Sequence, residues 1–67
     1  MNKLDHTYLK CAEEISELLA RIFQQINKKK DYRSHILEEI SDLEKQFNKL
    51  KPMIENDILE DRTKRNN

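Results

Sequence analysis

Sixty-seven residues leave room for one thin core, because a chain this short buries only about 60% of the surface it exposes when unfolded. Thirteen Lys+Arg balance thirteen Asp+Glu, so bulk charge gives nucleic-acid binding no support, and no apolar run approaches the roughly 20 residues needed to cross a bilayer. Cys11 is the only cysteine, which excludes an internal disulfide, and an N-terminus without an apolar signal segment fits a cytoplasmic protein.

Glycine is absent, proline occurs once, and Leu, Glu, Lys, Ile and Gln predominate, so helix is favoured over strand throughout. The expected architecture is a single all-α domain spanning 1–67. A first helix is predicted over 3–27. Leu4, Tyr8, Cys11, Ile15, Leu18 and Ile22 recur at alternating four- and three-residue steps, and Ala12, Leu19, Phe23 and Ile26 widen the stripe into a face suited to more than one neighbour. The turn falls in the basic stretch Asn27 to Asp31, with Asp31 placed to cap the next helix.

A second helix over about 32–51 repeats the stripe in Ile36, Ile40, Leu43, Phe47, Leu50 and Ile54. Two such helices joined by a short connection make an antiparallel hairpin. Pro52 lacks an amide proton and crowds the carbonyl of Asn48, which predicts a kink or an end near Lys51 and a short third helix over about 56–62. So little core per chain points to a metal, a partner or self-association as the source of extra stability, the last of which would pair two hairpins in a four-helix bundle.

The polar positions next to the stripes carry the chemistry. At 100° per residue Glu39 lies about 40° from Leu43, a costly place for a surface acid, with Asp42 one turn away. Glu14 borders Cys11 and Leu18 in the same way, and Glu17 follows three positions on. Pairs of acids three apart are neighbours on a helix surface, and each pair can grip one side of a hard cation such as Mg²⁺. Glu13 and Glu38 extend the two acidic clusters outward, as groups that position water. The competing explanation for Glu14 and Glu17 is ordinary pairing with Lys10 or Arg21 at four-residue spacing.

Read together, "KCAEEISELLARI" and "YRSHILEEISDLEKQFNKLKPMI" resemble the MazG-like all-alpha nucleoside triphosphate pyrophosphohydrolases, in their short phage and bacterial form. The family pattern Glu-Glu-x-x-Glu followed by Glu-x-x-Asp is met by Glu13, Glu14 and Glu17 and then by Glu39 and Asp42, and the likeness covers about two thirds of the chain. The resemblance implies Mg²⁺ held by Glu14, Glu17, Glu39 and Asp42, with Glu13 beside the attacking water. It also implies cleavage of a nucleoside triphosphate between its α and β phosphates, a homodimer, and residence in the cytoplasm, the host's if the chain is phage-encoded. Lys28, Lys29, Lys30 and Arg33 are the candidates to attract the phosphate tail. His35 is read as a surface residue, since imidazole is a poor partner for Mg²⁺.

The chain departs from the family downstream, where only "ENDILEDRTKRNN" remains after "KPMI" to supply what further helices supply in the enzymes. The alternative is therefore a non-enzymatic interaction or inhibitor protein on the same scaffold, binding a protein partner with Tyr8, Phe23 and Phe47 as anchors. A nucleic-acid binder using the patch from Lys28 to Arg33 ranks third, given the balanced charge.

Overall fold

The computed structural model describes residues 2–27 and 30–66. It contains two helices, α1 (Lys3–Asn27) and α2 (Arg33–Asn66), in contact along their length. Asn2 starts α1 by accepting the Asp5 N–H on its Oδ1 at 2.8 Å, which satisfies one donor that the helix start leaves free. Asp31 takes the equivalent role ahead of α2, accepting the Arg33 N–H at 3.1 Å, while the Tyr32 carbonyl accepts the Ile36 N–H at 2.9 Å.

The helices run antiparallel. Thr7 Oγ1 lies 3.5 Å from Met53 Sδ, Arg21 Nε lies 3.7 Å from Glu39 Oε1, and Gln25 Oε1 accepts the Tyr32 N–H at 2.7 Å where the chain turns. The result is a rod of 58 × 17 × 17 Å. In this register α2 outruns α1 at the open end of the hairpin, its last two turns having no part of α1 beside them. No helix among the described residues is long and apolar enough to cross a membrane.

The seam follows a heptad rule, with three- and four-residue steps on both sides. From α1 come Leu4, Thr7, Cys11, Glu14, Leu18, Arg21 and Gln25; from α2 come Tyr32, Ile36, Glu39, Leu43, Gln46, Leu50 and Met53. Every described residue that is not exposed belongs to these two rows, apart from Gln24 and Ile54. The register set by Thr7 with Met53 and Arg21 with Glu39 puts Leu18 level with Leu43 and Cys11 level with Leu50, and Glu14 level with Gln46 between them, so that polar residues interrupt the apolar levels of the seam. Among the described residues only Thr7, Cys11 and Leu43 are buried.

Two expectations change. The predicted α1 stripe keeps Leu4, Cys11 and Leu18 in the seam, but Tyr8, Ile15 and Ile22 stand outside it and Thr7, Glu14 and Arg21 take their places. On α2, Ile40 and Phe47 are displaced in the same way by Glu39 and Gln46. Each helix is thus turned by about 50° from the orientation that would centre its apolar arc on its partner, the angle between neighbouring heptad columns. Two helices alone bury only a strip of each other, and these meet along the edges of their apolar arcs.

The second change concerns Pro52. In place of a helix ending near Lys51 and a separate one over about 56–62, α2 is continuous from Arg33 to Asn66. Both Pro52 and Asn48 are exposed, so the carbonyl that loses its amide partner lies on the wet side of the helix, where water can satisfy it.

Candidate functional site

Two sides of the rod differ in chemistry, and the heptad pattern assigns each its residues. With Leu4, Cys11 and Leu18 of α1 and Ile36, Leu43 and Leu50 of α2 as the apolar a columns, the residues four further on form the e columns. Those are Tyr8, Ile15 and Ile22 on α1, and Ile40, Phe47 and Ile54 on α2. In an antiparallel pair both e columns flank the same side of the seam. One side of the hairpin is therefore a continuous apolar face, and Leu19 and Ile26 of α1 with Leu37 and Ile58 of α2 extend its edges, all of them exposed. Phe47 lies near the middle of the face, opposite Ile15, and is 47% exposed.

The opposite flank is polar throughout: Lys10, Glu17 and Gln24 from α1, and His35, Asp42, Lys49 and Asn56 from α2. Here the register puts two of the four candidate metal ligands, Glu17 and Asp42, level with each other on the same flank, both exposed. Glu14 and Glu39 lie deeper, with side chains 14% and 18% exposed. Lys10 Nζ approaches Glu14 Oε1 at 3.5 Å, and Arg21 Nε approaches Glu39 Oε1 at 3.7 Å, too long for a hydrogen bond. Glu14 Oε2, Glu39 Oε2 and Arg21 Nε are consequently buried without a hydrogen-bond partner. Arg21 is held by its other contacts, donating from one terminal nitrogen to Gln24 Oε1 at 3.0 Å and standing 5.8 Å from the centre of the Tyr32 ring.

Because Glu14 is level with Gln46, seven residues along α2 from Glu39, the two seam carboxylates are separated by about 10 Å along the axis. Among the described residues no group of three or more His, Cys, Asp or Glu side chains stands close enough to hold a metal ion. In kind the donors suit Mg²⁺, being carboxylate oxygens, two of them unpartnered. Glu13 and Glu38 are exposed and lie further round the polar side.

The candidate phosphate-binding residues divide. Lys28 and Lys29 lie outside the described residues. Lys30 is exposed and shares a shallow cleft of about 450 Å³ with Gln25, Asp31 and Arg33. Arg33 is already engaged: its Nε and one terminal nitrogen each reach an Asp31 carboxylate oxygen at 2.9 Å. Those side-chain bonds, with the Arg33 backbone N–H, hold the Asp31 carboxyl down to about 2 and raise the Arg33 guanidinium above its usual value.

The face that dominates the surface was visible in sequence as the widening of the first stripe by Ala12, Leu19, Phe23 and Ile26, but its position outside the hairpin seam was not. The decisive signal is the polar residue three after four of the five seam leucines and isoleucines, Thr7 after Leu4, Arg21 after Leu18, Glu39 after Ile36 and Gln46 after Leu43, which marks where one apolar arc ends. Comparison with protein-family models, with curated proteins and with solved structures gives no match.

Proposed function

We propose that this chain is a helix-packing assembly protein that works as a homodimer, two hairpins meeting through their apolar faces in a four-helix bundle. The observation that carries this reading is the double e column: six large apolar residues on one side of the rod, none of them required by the hairpin seam. A folded monomer of 8.1 kDa is expected to expose about 4,500 Å², against 5773 Å² here. The excess, on the order of 1,300 Å², is larger than the roughly 800 Å² that each partner buries in a stable interface of standard size. A rod exposes more than a sphere, but here the excess coincides with a patch much larger than isolated surface apolar residues explain.

A second copy suits the face. It has the same length, its apolar columns match by symmetry, and a formal net charge of zero sets up no long-range repulsion between copies. Sedimentation of the purified chain with dilution tests the reading: a concentration-dependent dimer supports it, and a helical monomer at high concentration refutes it. A monomer that binds a different helical protein tightly would preserve the docking face and replace its occupant.

A second reading is favoured by the polar flank. Glu17 and Asp42, level with each other, with the unpartnered oxygens of Glu14 and Glu39 behind them, give a band of hard donors, and the sequence resemblance implies a Mg²⁺-dependent nucleoside triphosphate pyrophosphohydrolase. Bound Mg²⁺ would offset phosphate charge and activate water. This flank lies opposite the apolar face, so dimerisation leaves it open. A panel of nucleoside triphosphates incubated with and without Mg²⁺, with pyrophosphate distinguished from orthophosphate, tests the activity. Metal-dependent pyrophosphate release that Glu39→Gln abolishes supports it; no turnover by folded protein, or full turnover by Glu39→Gln, removes it.

A further inference from the structure

The rim of the apolar face carries a pattern that selects among the ways two copies can meet. One column beyond Ile40, Phe47 and Ile54, α2 presents Leu37, Glu44, Lys51 and Ile58 at seven-residue intervals, all exposed. An acid and a base occupy the two middle places, and an apolar residue occupies each end. Among the described residues neither Glu44 nor Lys51 makes an ion pair within its own chain.

Resting on the homodimer proposed above, we infer that the two-fold axis lies across the helices at the level of Phe47, so that α2 packs antiparallel on the partner's α2 and Glu44 pairs with the partner's Lys51. In that register Leu37 meets the partner's Ile58, Glu44 meets the partner's Lys51, and both contacts recur on the other side of the axis. Phe47 meets its own copy at the centre. The last turns of α2, which have no α1 beside them, then lie over the first turn of the partner's α2.

The competing arrangements are penalised by the same four residues. Sliding by one heptad in one direction sets Glu44 against the partner's Glu44 and Leu37 against its Lys51. Sliding in the other sets Lys51 against the partner's Lys51 and Glu44 against its Ile58. An axis running along the bundle instead would lay α2 on the partner's α1, where the column one beyond its face reads Asp5, Ala12, Leu19 and Ile26. Glu44 would then face an apolar leucine and Ile58 an aspartate. Along this α2 column, only the axis across the helices at Phe47 matches apolar with apolar and opposite with opposite charge at every place; Asp5 of α1 meets an apolar residue of the partner under either axis and does not discriminate, so the α2 charges select the orientation.

Charge reversal on the intact chain tests the arrangement by sedimentation and by dilution, with helicity followed by circular dichroism. Both sites are exposed on α2, so the variants keep the hairpin. Glu44→Lys alone and Lys51→Glu alone each turn two symmetric attractions into repulsions and are expected to raise the dimer dissociation constant by about tenfold at low salt. Combined in one chain, they restore the opposite-charge pairs and return the constant to within about threefold of the parent. Single reversals without effect on a persisting dimer, or a double variant weaker than either single, would overturn the arrangement and leave the homodimer standing. A parent chain that stays monomeric at every concentration would instead overturn the homodimer, and this arrangement with it.

Discussion

Truncating Phe47 to alanine should remove the centre of the interface while leaving the hairpin seam in place. Phenylalanine offers on the order of 200 Å² of surface, of which the 47% left exposed in one hairpin is about 90 Å². At about 25 cal/mol per Å² this is worth about 2 kcal/mol per chain, and a symmetric dimer loses it twice. The expected consequence is a dissociation constant higher by about three orders of magnitude, read by sedimentation across a dilution series. Leu59→Ala is the control, because Leu59 is 60% exposed but lies off the face on the outer side of α2. It should change the constant by less than about threefold. A loss of less than tenfold for Phe47→Ala, or an equal loss for Leu59→Ala, would show that general stickiness and not this face drives association.

Three further outcomes follow from the hairpin itself. Replacing Arg21 alone with alanine leaves Glu39 without its cation and should lower stability by about 1 to 3 kcal/mol, whereas Arg21→Leu with Glu39→Leu removes every unpartnered atom of that layer and should raise the melting temperature above the parent; a double variant less stable than the single one would contradict this. Pro52→Ala restores an amide donor inside α2 and relieves the crowding, so chemical denaturation should show a gain of up to about 3 kcal/mol, and a loss would mean that the proline is needed. Asp31 should titrate by carboxyl NMR near 2, well under its ordinary 3.8, because its protonation breaks the bonds from Arg33. Since the folded value is depressed, its contribution to stability is complete above about 4 and fades as pH falls towards 2. Arg33→Gln should return the midpoint towards the ordinary value, and an unchanged midpoint would remove Arg33 as the cause.

Composition and periodicity were enough to read the helical class, the bounds of α1 and the antiparallel turn, because the absence of glycine and the three- and four-residue steps act locally. What they misjudged were properties set by neighbours. Tyr8 and Thr7 both fit a stripe that passes through Leu4 and Cys11, one four and the other three residues from Leu4, and sequence spacing cannot choose between them; the choice depends on whether one partner or two surround the helix. Apolar bulk argued for Tyr8, Ile15 and Ile22, yet within a lone hairpin the seam takes Thr7, Glu14 and Arg21. Local sequence assigns Pro52 the full cost of a proline inside a helix, whereas the exposure that makes this cost bearable depends on how α2 is oriented. The carboxylates were legible as residues close to the seam, but how far apart they stand along the rod depends on a register that Thr7 with Met53 and Arg21 with Glu39 define.

Sedimentation equilibrium of the unmodified chain, from about 1 to 200 μM, tests the central claim most directly. With the apolar face covered by a second copy, the fitted mass should approach twice 8.1 kDa while the protein is fully helical, and fall towards one chain only on dilution. A mass of 8.1 kDa at the highest concentration, with helicity undiminished, would contradict it.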